Sequence, residues 1–521
     1  MSPGVFYSQK DLSQVVVGID SDTLAIAGNA KWGPSDVLTP LGGLQQYVQL
    51  FGKPTVPEET PIFYQLYLWY KLGKSVYYVR PRGNSKFGGA EAQKATVFAG
   101  ISAGLDSLPT SPTGTNVVSL YTKYAGEHDG GTVKIWIFNV DNTTGTFGIR
   151  VGTKLDSTGD DLDTGSEWFE EHRVSVIRGA RDGFGRSMYI KDVLDRDSQL
   201  LAGRAKASAL VDDVPAVSSA LIALAHNSYE VATESDVLAA YELFKPLDAV
   251  TVDLIIPGMF TTAILNKCAE VGIARGDAFH ILTPSVDETW EVEAISGATG
   301  WLSTITTKDW TGAAYGMFYK VKDEYNDTDV YVPAAGLIAG AYSYNDVQAA
   351  QWYAPAGPKR GIQPGVELGC VWGTTERDTM YSRGINWVSK SPRYGITIEG
   401  QKTLYGINSA LNRVNVARLM LKMKRDLMTF LQDFVYEFNN TRNRTMIYNG
   451  INNYLRDIKS REGLYDYRVV CDETNNPASI IDENKLIVDI YVKPIKVAEF
   501  IYLRTTITST GVDFAKIVAQ A

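Results

Sequence analysis

The pentapeptide GISAG, Gly100–Gly104, matches G-x-S-x-G, the turn that exposes a nucleophilic serine in α/β-hydrolases. Such a turn needs a buried strand before it, a helix after it, and an acid and a histidine downstream. The preceding EAQKATVFA is not a clear buried strand, and His128, His172, His226 and His280 sit in no telling context. Small residues at a turn account for the match, and a serine hydrolase using Ser102 stands as an alternative reading. GKS at Gly73–Ser75 is a fragment of a phosphate-binding loop. The full motif puts a glycine five positions earlier, where Leu68 stands, and the order helix-then-strand is reversed. Gly73 reads instead as the residue that closes a helix. The loop Asp156–Glu167 carries four aspartates and one glutamate, an oxygen-rich set that suits calcium. Its acidic residues miss the EF-hand register, and a solvated acidic loop is the default. Cys268, Cys370 and Cys471 form no CxxC and are odd in number, so they read as buried reduced thiols. No His/Cys/Asp group has metal-ligand spacing, and Glu170 and Glu171 are adjacent, hence faced apart in a strand. The sequence therefore points to no catalytic residue, no metal and no cofactor.

One charged pattern remains. Arg418, Lys422 and Arg425 recur at i, i+4 and i+7 and form a basic stripe along a predicted helix, with Leu427, Leu431, Phe434 and Val435 continuing its apolar face. Such a stripe is either a solvated face or a docking strip for an acidic partner.

The 521 residues allow several hydrophobic cores. At about 150 residues per domain, three or four domains are expected. A net charge of −9 disfavours general nucleic-acid binding, because phosphate contacts need a basic footprint. No apolar run approaches the ~18 residues a spanning helix needs, so no membrane insertion is expected. The opening MSPGVFYSQKD lacks the basic-then-apolar order of a signal peptide.

The periodicities place the elements. Residues 1–20 read as an extended arm with a β-prone run at Val15–Val17. Strands are predicted at Thr23–Ala27 and at SVYYVRP, with a helix from Pro61 to Leu72 between them, capped by Thr60. TVKIWIFNV and TFGIRVG alternate around DNTTG as a β-hairpin, and EEHRVSVIRG continues the strands, so 116–204 reads as a β-rich unit. DLIIPG, TTAILNKCAEVGIARG and AFHILTP read as strand, helix and strand, an order that implies parallel pairing. Helices over 412–438 and 445–461 precede the strands LYDYRVVCDE, KLIVDIYVKPI and EFIYLRTTITS. Leu486, Val488, Ile490 and Val492 share one face, and the tail GVDFAKIVAQA closes the chain.

Several segments, taken in order, resemble the tail sheath proteins of contractile phages. They are SPGVFYSQKDLS, LAIAGNAKWGP, QYVQLFGKP, RGINWV, ITIEGQKTLYG, NRVNVARLMLKMKRDL, EFNNTRNRT, VVCDETNNP and KPIKVAEFIYL. Between the third and fourth lies DVYVPAAGLIAGAYSYNDVQAAQWYAPAGPKRGI, with Pro333, Gly336, Gly340, Asp346, Trp352, Ala354, Pro355, Ala356 and Gly357 at the positions of the family's pattern. Residues 116–204 carry little of it.

The resemblance implies an α+β multidomain fold. Its discontinuous core domain, helices packed on a mixed sheet, is built from both chain ends, with inserted α/β and β-rich outer domains and extended terminal arms. The expected division is an arm at 1–20, an inner core of 21–85 with 350–505, a middle α/β insertion of 86–115 with 205–349, an outer β-rich insertion at 116–204 and an arm at 506–521. The implied function is a structural subunit of a contractile sheath in the virion tail, assembled in the host cytoplasm. Its implied partners are copies of itself in stacked hexameric rings, an inner tail tube protein, and baseplate and tail terminator proteins. In this family terminal arms donate strands to neighbours, and Ser13, Val15, Val16 and Val17 with Ile507, Val512, Phe514 and Ile517 are the residues here that suit strand exchange. Arg418, Lys422 and Arg425 are then expected to face the tube. Another virion surface or adhesion protein is the remaining alternative.

Overall fold

The computed structural model describes residues 23–54, 61–128, 132–152, 169–226, 228–287 and 300–499. The chain begins a large sheet, leaves it for a β-rich body, returns to complete it, and ends in a helical module.

The first pass supplies β1 (Thr23–Ala27), β2 (Thr39–Leu41), α1 (Leu44–Phe51), α2 (Pro61–Trp69) and β3 (Ser75–Val79). The excursion comprises β4 (Gly89–Ala92), β5 (Ala99–Gly100), β6 (Val118–Thr122), β7 (Lys134–Asp141), β8 (Thr146–Gly152), β9 (Phe169–Ser175), α3 (Ile190–Asp197), β10 (Leu201–Ala205) and β11 (Ile222–Ala223). The return runs through α4 (Glu234–Glu242), β12 (Leu254–Ile255), α5 (Thr262–Arg275), β13 (Phe279–Leu282), α6 (Trp301–Thr304), β14 (Gly312–Tyr315), β15 (Phe318–Asp323), β16 (Thr328–Pro333) and α7 (Ala335–Gln348). Then follow α8 (Gly357–Arg360), β17 (Glu367–Leu368), α9 (Thr374–Ser382), β18 (Ile385–Ser391) and β19 (Gly395–Glu399). The last module holds α10 (Val414–Gln432), α11 (Thr441–Ser460), β20 (Leu464–Val470), α12 (Ala478–Asp482) and β21 (Asp489–Pro494).

The large sheet has the order β19-β18-β14-β13-β12-β1-β3-β2. Its inner pairs, from β18 through to β3, are all parallel, and the two edges, β19 and β2, are antiparallel. β12, β13 and β14 are buried at every residue and β1 at all but Thr23, the signature of a parallel sheet covered on both faces. The predicted strand–helix–strand at DLIIPG, TTAILNKCAEVGIARG and AFHILTP is β12–α5–β13, with Gly276 at φ 61 ending α5 in the left-handed conformation.

In open α/β sheets of this kind ligands bind where the strand order reverses, beyond the carboxyl ends of the strands. Here that point lies between β1 and β12, and the protein's own groups crowd it. An added Cβ at Gly28 would lie 2.6 Å from Ile62 Cδ1, and one at Gly258 would lie 2.1 Å from the Ala27 carbonyl oxygen. The Tyr241 hydroxyl donates to the Ile256 carbonyl at 2.8 Å and accepts from the Gly258 N–H at 2.9 Å.

The β-rich body packs two four-stranded sheets, β10-β6-β4-β5 and β11-β7-β8-β9, around one apolar core. The predicted hairpin is β7–β8. Trp32, from the loop after β1, is buried in this second core, and Arg80 fastens the joint. Its guanidinium donates to the carbonyls of Ala30 (2.7 Å), Gly33 (2.8 Å) and Ala125 (2.9 Å). Burial lowers its pKa to about 10.

The sheets and cores redraw the expected division. The β body runs from β4 to β11, so it takes in parts of 86–115 and 205–349 as well as 116–204. The strands from 254 to 315 lie in the middle of the same sheet as β1 and β3 and are no insertion. Of the expected inner core, β18 and β19 do share the large sheet with β1 to β3, whereas β20 and β21 form a separate pair over a third core with α10 and α11. The boundaries misplace 205–349 because the sequence pattern shows the strand at DLIIPG but not its partner β1, some 230 residues earlier in the chain. Within the third core Leu486, Val488, Ile490 and Val492 do pack inward, while Tyr491 is exposed.

His280, on β13, sits fully buried between glycines. A Cβ at Gly312 would lie 1.9 Å from its Nε2, and one at Gly272 would lie 2.7 Å from its Nδ1. Neither ring nitrogen has a hydrogen-bond partner, and burial pushes its pKa down to about 3. The unfolded chain, with an ordinary histidine pKa near 6.5, then binds the proton first. His280 should cost no stability above about pH 6.5 and should drain it as pH falls toward 3, at about 1.4 kcal/mol per unit. Between pH 6.5 and 4.5, the stability from urea unfolding should fall less steeply in His280→Leu than in the native chain, by about that amount.

Candidate functional site

Helix α10 serves two cores at once. Val414, Ala417 and Leu421 pack into the large-sheet core, and Leu419, Met423, Leu427 and Phe430 into the C-terminal core. Between these faces run Arg418, Lys422 and Arg425, which are 3%, 9% and 7% exposed. This corrects the expectation of a tube-facing strip, since the three cations point into the seam between the cores and not to solvent. Desolvating a charge is costly unless it is paired, and each of them is. Arg418 grips Asp346, at the end of α7, through two parallel bonds (2.8 and 2.5 Å) and lies 4.9 Å from the Tyr342 ring centre. Burial alone would lower the Arg418 pKa, and Asp346 more than offsets it, so the net shift is upward. Lys422 lies 3.3 Å from Asp426 one turn on, and Asp426 also accepts from the Tyr454 hydroxyl of α11 at 2.7 Å. Arg425 pairs with Asp253, the residue before β12, and donates to Gln351 at 3.4 Å.

The seam opens on a cleft of ≈ 580 Å³ whose lining includes Thr23, Lys74, Ser75, Lys422 and Arg461. At the other end of α10, Arg413 occupies the N-cap position and donates to Glu499 at 3.1 Å. The same carboxylate accepts from the Tyr381 hydroxyl and from Gln401 at 3.1 Å.

The remaining predicted residues fall elsewhere. Ser13, Val15, Val16, Val17, Ile507, Val512, Phe514 and Ile517 lie outside the described residues, as do Thr60 and the acidic loop 156–167. Ser102 is exposed on a bend after the two-residue β5, and no helix follows it, so the elbow geometry is absent there. Gly73 does follow α2, but it does not adopt a positive φ. Its need is space, because a Cβ there would lie 2.3 Å from the Trp69 ring. The three cysteines are free, and burial raises the thiol pKa of Cys268 and Cys370 to about 12 and that of Cys471 to about 11. Among the described residues, no group of three or more His, Cys, Asp and Glu side chains is placed to hold a metal, and no helix is long and apolar enough to cross a membrane.

Asp253, Arg413 and Glu499 are no candidates from the sequence, and Asp346 stands there only as a position of the family's pattern, with no partner assigned. One signal was available for the seam. At about 100° per residue, Val414 and Leu421 fall within about 60° of Arg418, so the basic stripe is interleaved with apolar positions, unlike a solvated face.

Residues 407–508 match the family model of the phage tail sheath C-terminal domain. The chain is 41% identical over 197 residues to the tail sheath protein of Vibrio phage KVP40, covering 38% of this chain and 29% of that protein. It is 28% identical over 369 residues to the tail sheath protein of Enterobacteria phage T4, covering 67% of this chain and 55% of that one. The matched stretches thus span about half or less of these relatives. Among solved structures, the helical sheath of the anti-feeding prophage in its contracted state shares the fold with a TM-score of 0.55 at 15% identity, over 97% of this chain and 99% of that one.

Asp346→Ala strands the Arg418 charge in the seam. It should cost about 3–5 kcal/mol in urea unfolding, the usual loss when one partner of a buried pair is removed. Lys94→Ala, which breaks the exposed Lys94–Asp212 pair, should leave the midpoint unchanged.

Proposed function

We propose, from the premise that this chain belongs to the contractile phage tail sheath family, that it is a structural subunit of a contractile tail sheath and not an enzyme. The observation that carries this reading is the long stretch of sequence shared with curated tail sheath proteins. The structure supports it from the other side, with the ligand crevice of the large sheet crowded by Ile62 and Tyr241 and Ser102 lacking a nucleophile elbow.

The subunits polymerise as stacked hexameric rings in a six-fold helical tube around an inner tail tube, in the virion tail, after assembly in the host cytoplasm. Baseplate and tail terminator proteins bound the polymer at its ends. The terminal segments join the lattice by strand donation, with Ser13 and Val15–Val17 at one end and Ile507, Val512, Phe514 and Ile517 at the other. An open strand edge is a template for such pairing, and β20 and β21 pair only with each other among the described strands. A head-to-tail contact that does not close on itself generates a helical polymer. Contraction draws on energy stored at assembly in a kinetically trapped extended state. Subunits then move as rigid bodies and drive the tube through the host envelope.

Purified full-length chain should form long tubes in negative-stain micrographs. Deleting residues 1–20, or 506–521, should abolish the tubes and leave the circular dichroism of the monomer unchanged. Absence of tubes from the full-length chain sinks the sheath reading, and tubes of normal length from either deletion sink strand donation.

A further inference from the structure

The two terminal segments join the described chain at Thr23 and Glu499, and the side chains that hold these two points stand on one helix. At its start, Arg413 holds the Glu499 carboxylate, with Tyr381 and Gln401 as the other ligands of that group. Three turns further on, Arg425 holds Asp253. Asp253 is in turn bonded to Thr23 in both directions. Its N–H donates to the Thr23 carbonyl at 3.0 Å, and its carboxylate accepts from the Thr23 N–H at 3.4 Å. Twelve residues of helix separate the two arginines, a span of about 18 Å at 1.5 Å per residue.

We propose that α10 is a strut that fixes the exits of both terminal segments relative to each other, through Arg413–Glu499 at one end and Arg425–Asp253–Thr23 at the other. The helix is locked in place by both cores it serves, and by Asp346 on Arg418. One exit cannot shift along it without leaving a buried or half-buried charge unpaired. This inference rests on the sheath reading only for its consequence. If the terminal segments link neighbouring subunits, the strut makes each subunit pass on a fixed vector from one link to the next. The strut itself is a property of the single chain.

Hydrogen exchange on the full-length monomer reads the strut directly, and micrographs of the polymer read its consequence. Arg413→Gln and Glu499→Gln should each speed amide exchange across residues 495–499 by about tenfold or more, the loss of a charge-assisted contact, with α10 unchanged. Asp253→Asn should do the same across Thr23–Ala27. The charge swap Arg413→Glu with Glu499→Arg should restore slow exchange. Tubes of Arg413→Gln should lose the regular twist of the native polymer. Arg413 and Glu499 sit at the edge of the fold, so those variants keep the test open even if Asp253→Asn fails to fold. Native exchange rates in Arg413→Gln overturn the strut, and raised rates accompanied by native tube order overturn its consequence for the polymer. If the native chain forms no tubes but exchange responds as described, the sheath reading fails and the strut stands.

Discussion

Three cations buried on one face of α10 set the terms for the rest of the structure. Arg418, Lys422 and Arg425 are each almost out of water, and a carboxylate must meet each of them. Asp346 comes from the end of α7, Asp253 from the approach to β12, and Asp426 from α10 itself with Tyr454 of α11 behind it. The large sheet and the C-terminal module can therefore dock in one register only. An apolar seam of the same area would tolerate sliding by a turn, because dispersion and hydrophobic burial are non-directional. Here a slide of one helical turn would leave cations without partners. The seam favours specificity over stability, since replacing buried ion pairs by packed hydrophobic residues is often neutral or stabilising.

The same contrast explains what the sequence revealed and what it hid. Local pattern was sufficient wherever an element's own residues decide its state. β1 spans Thr23–Ala27 as predicted, the β7–β8 hairpin turns at DNTTG, α5 ends on Gly276, and α11 starts from the Asn440 cap, four residues before its predicted start. The basic stripe was legible as a stripe, but its burial was not. Its partners lie 72 residues away at Asp346 and 172 away at Asp253, and no local period encodes them. A solvated stripe and a seam look alike until the apolar residues on both sides of it are counted. The order of the large sheet was hidden for a related reason. β12 is two residues long and holds its central place through its neighbours β1 and β13, whose positions depend on the whole chain path.

The large sheet also shows how a fold associated with ligand binding can be closed to it. Parallel strands covered on both faces leave a crevice at the reversal of strand order, and this chain brings Gly28, Gly258, Ile62 and Tyr241 together there. His280 tells a similar story one strand away. Its ring fills the space left by two glycines, and burial away from water keeps it neutral. A core packed this closely has low compressibility and transmits strain as a block.

Rigidity of that kind matters most for a subunit that transmits force. If one copy is pulled through one terminal segment and must pull the next through the other, any give between the two exits is lost motion. A single helix bonded at both exits, and wedged between two cores, minimises that loss without requiring a large stability of the whole. The energetic asymmetry favours this division of labour. Breaking the seam inside a subunit costs the desolvation of unpaired charge, whereas exposed contacts between subunits are screened within about 8–10 Å at physiological salt and are individually weak. In the proposed sheath, the weaker contacts yield first under load, and the lattice rearranges between subunits while each subunit keeps its internal geometry.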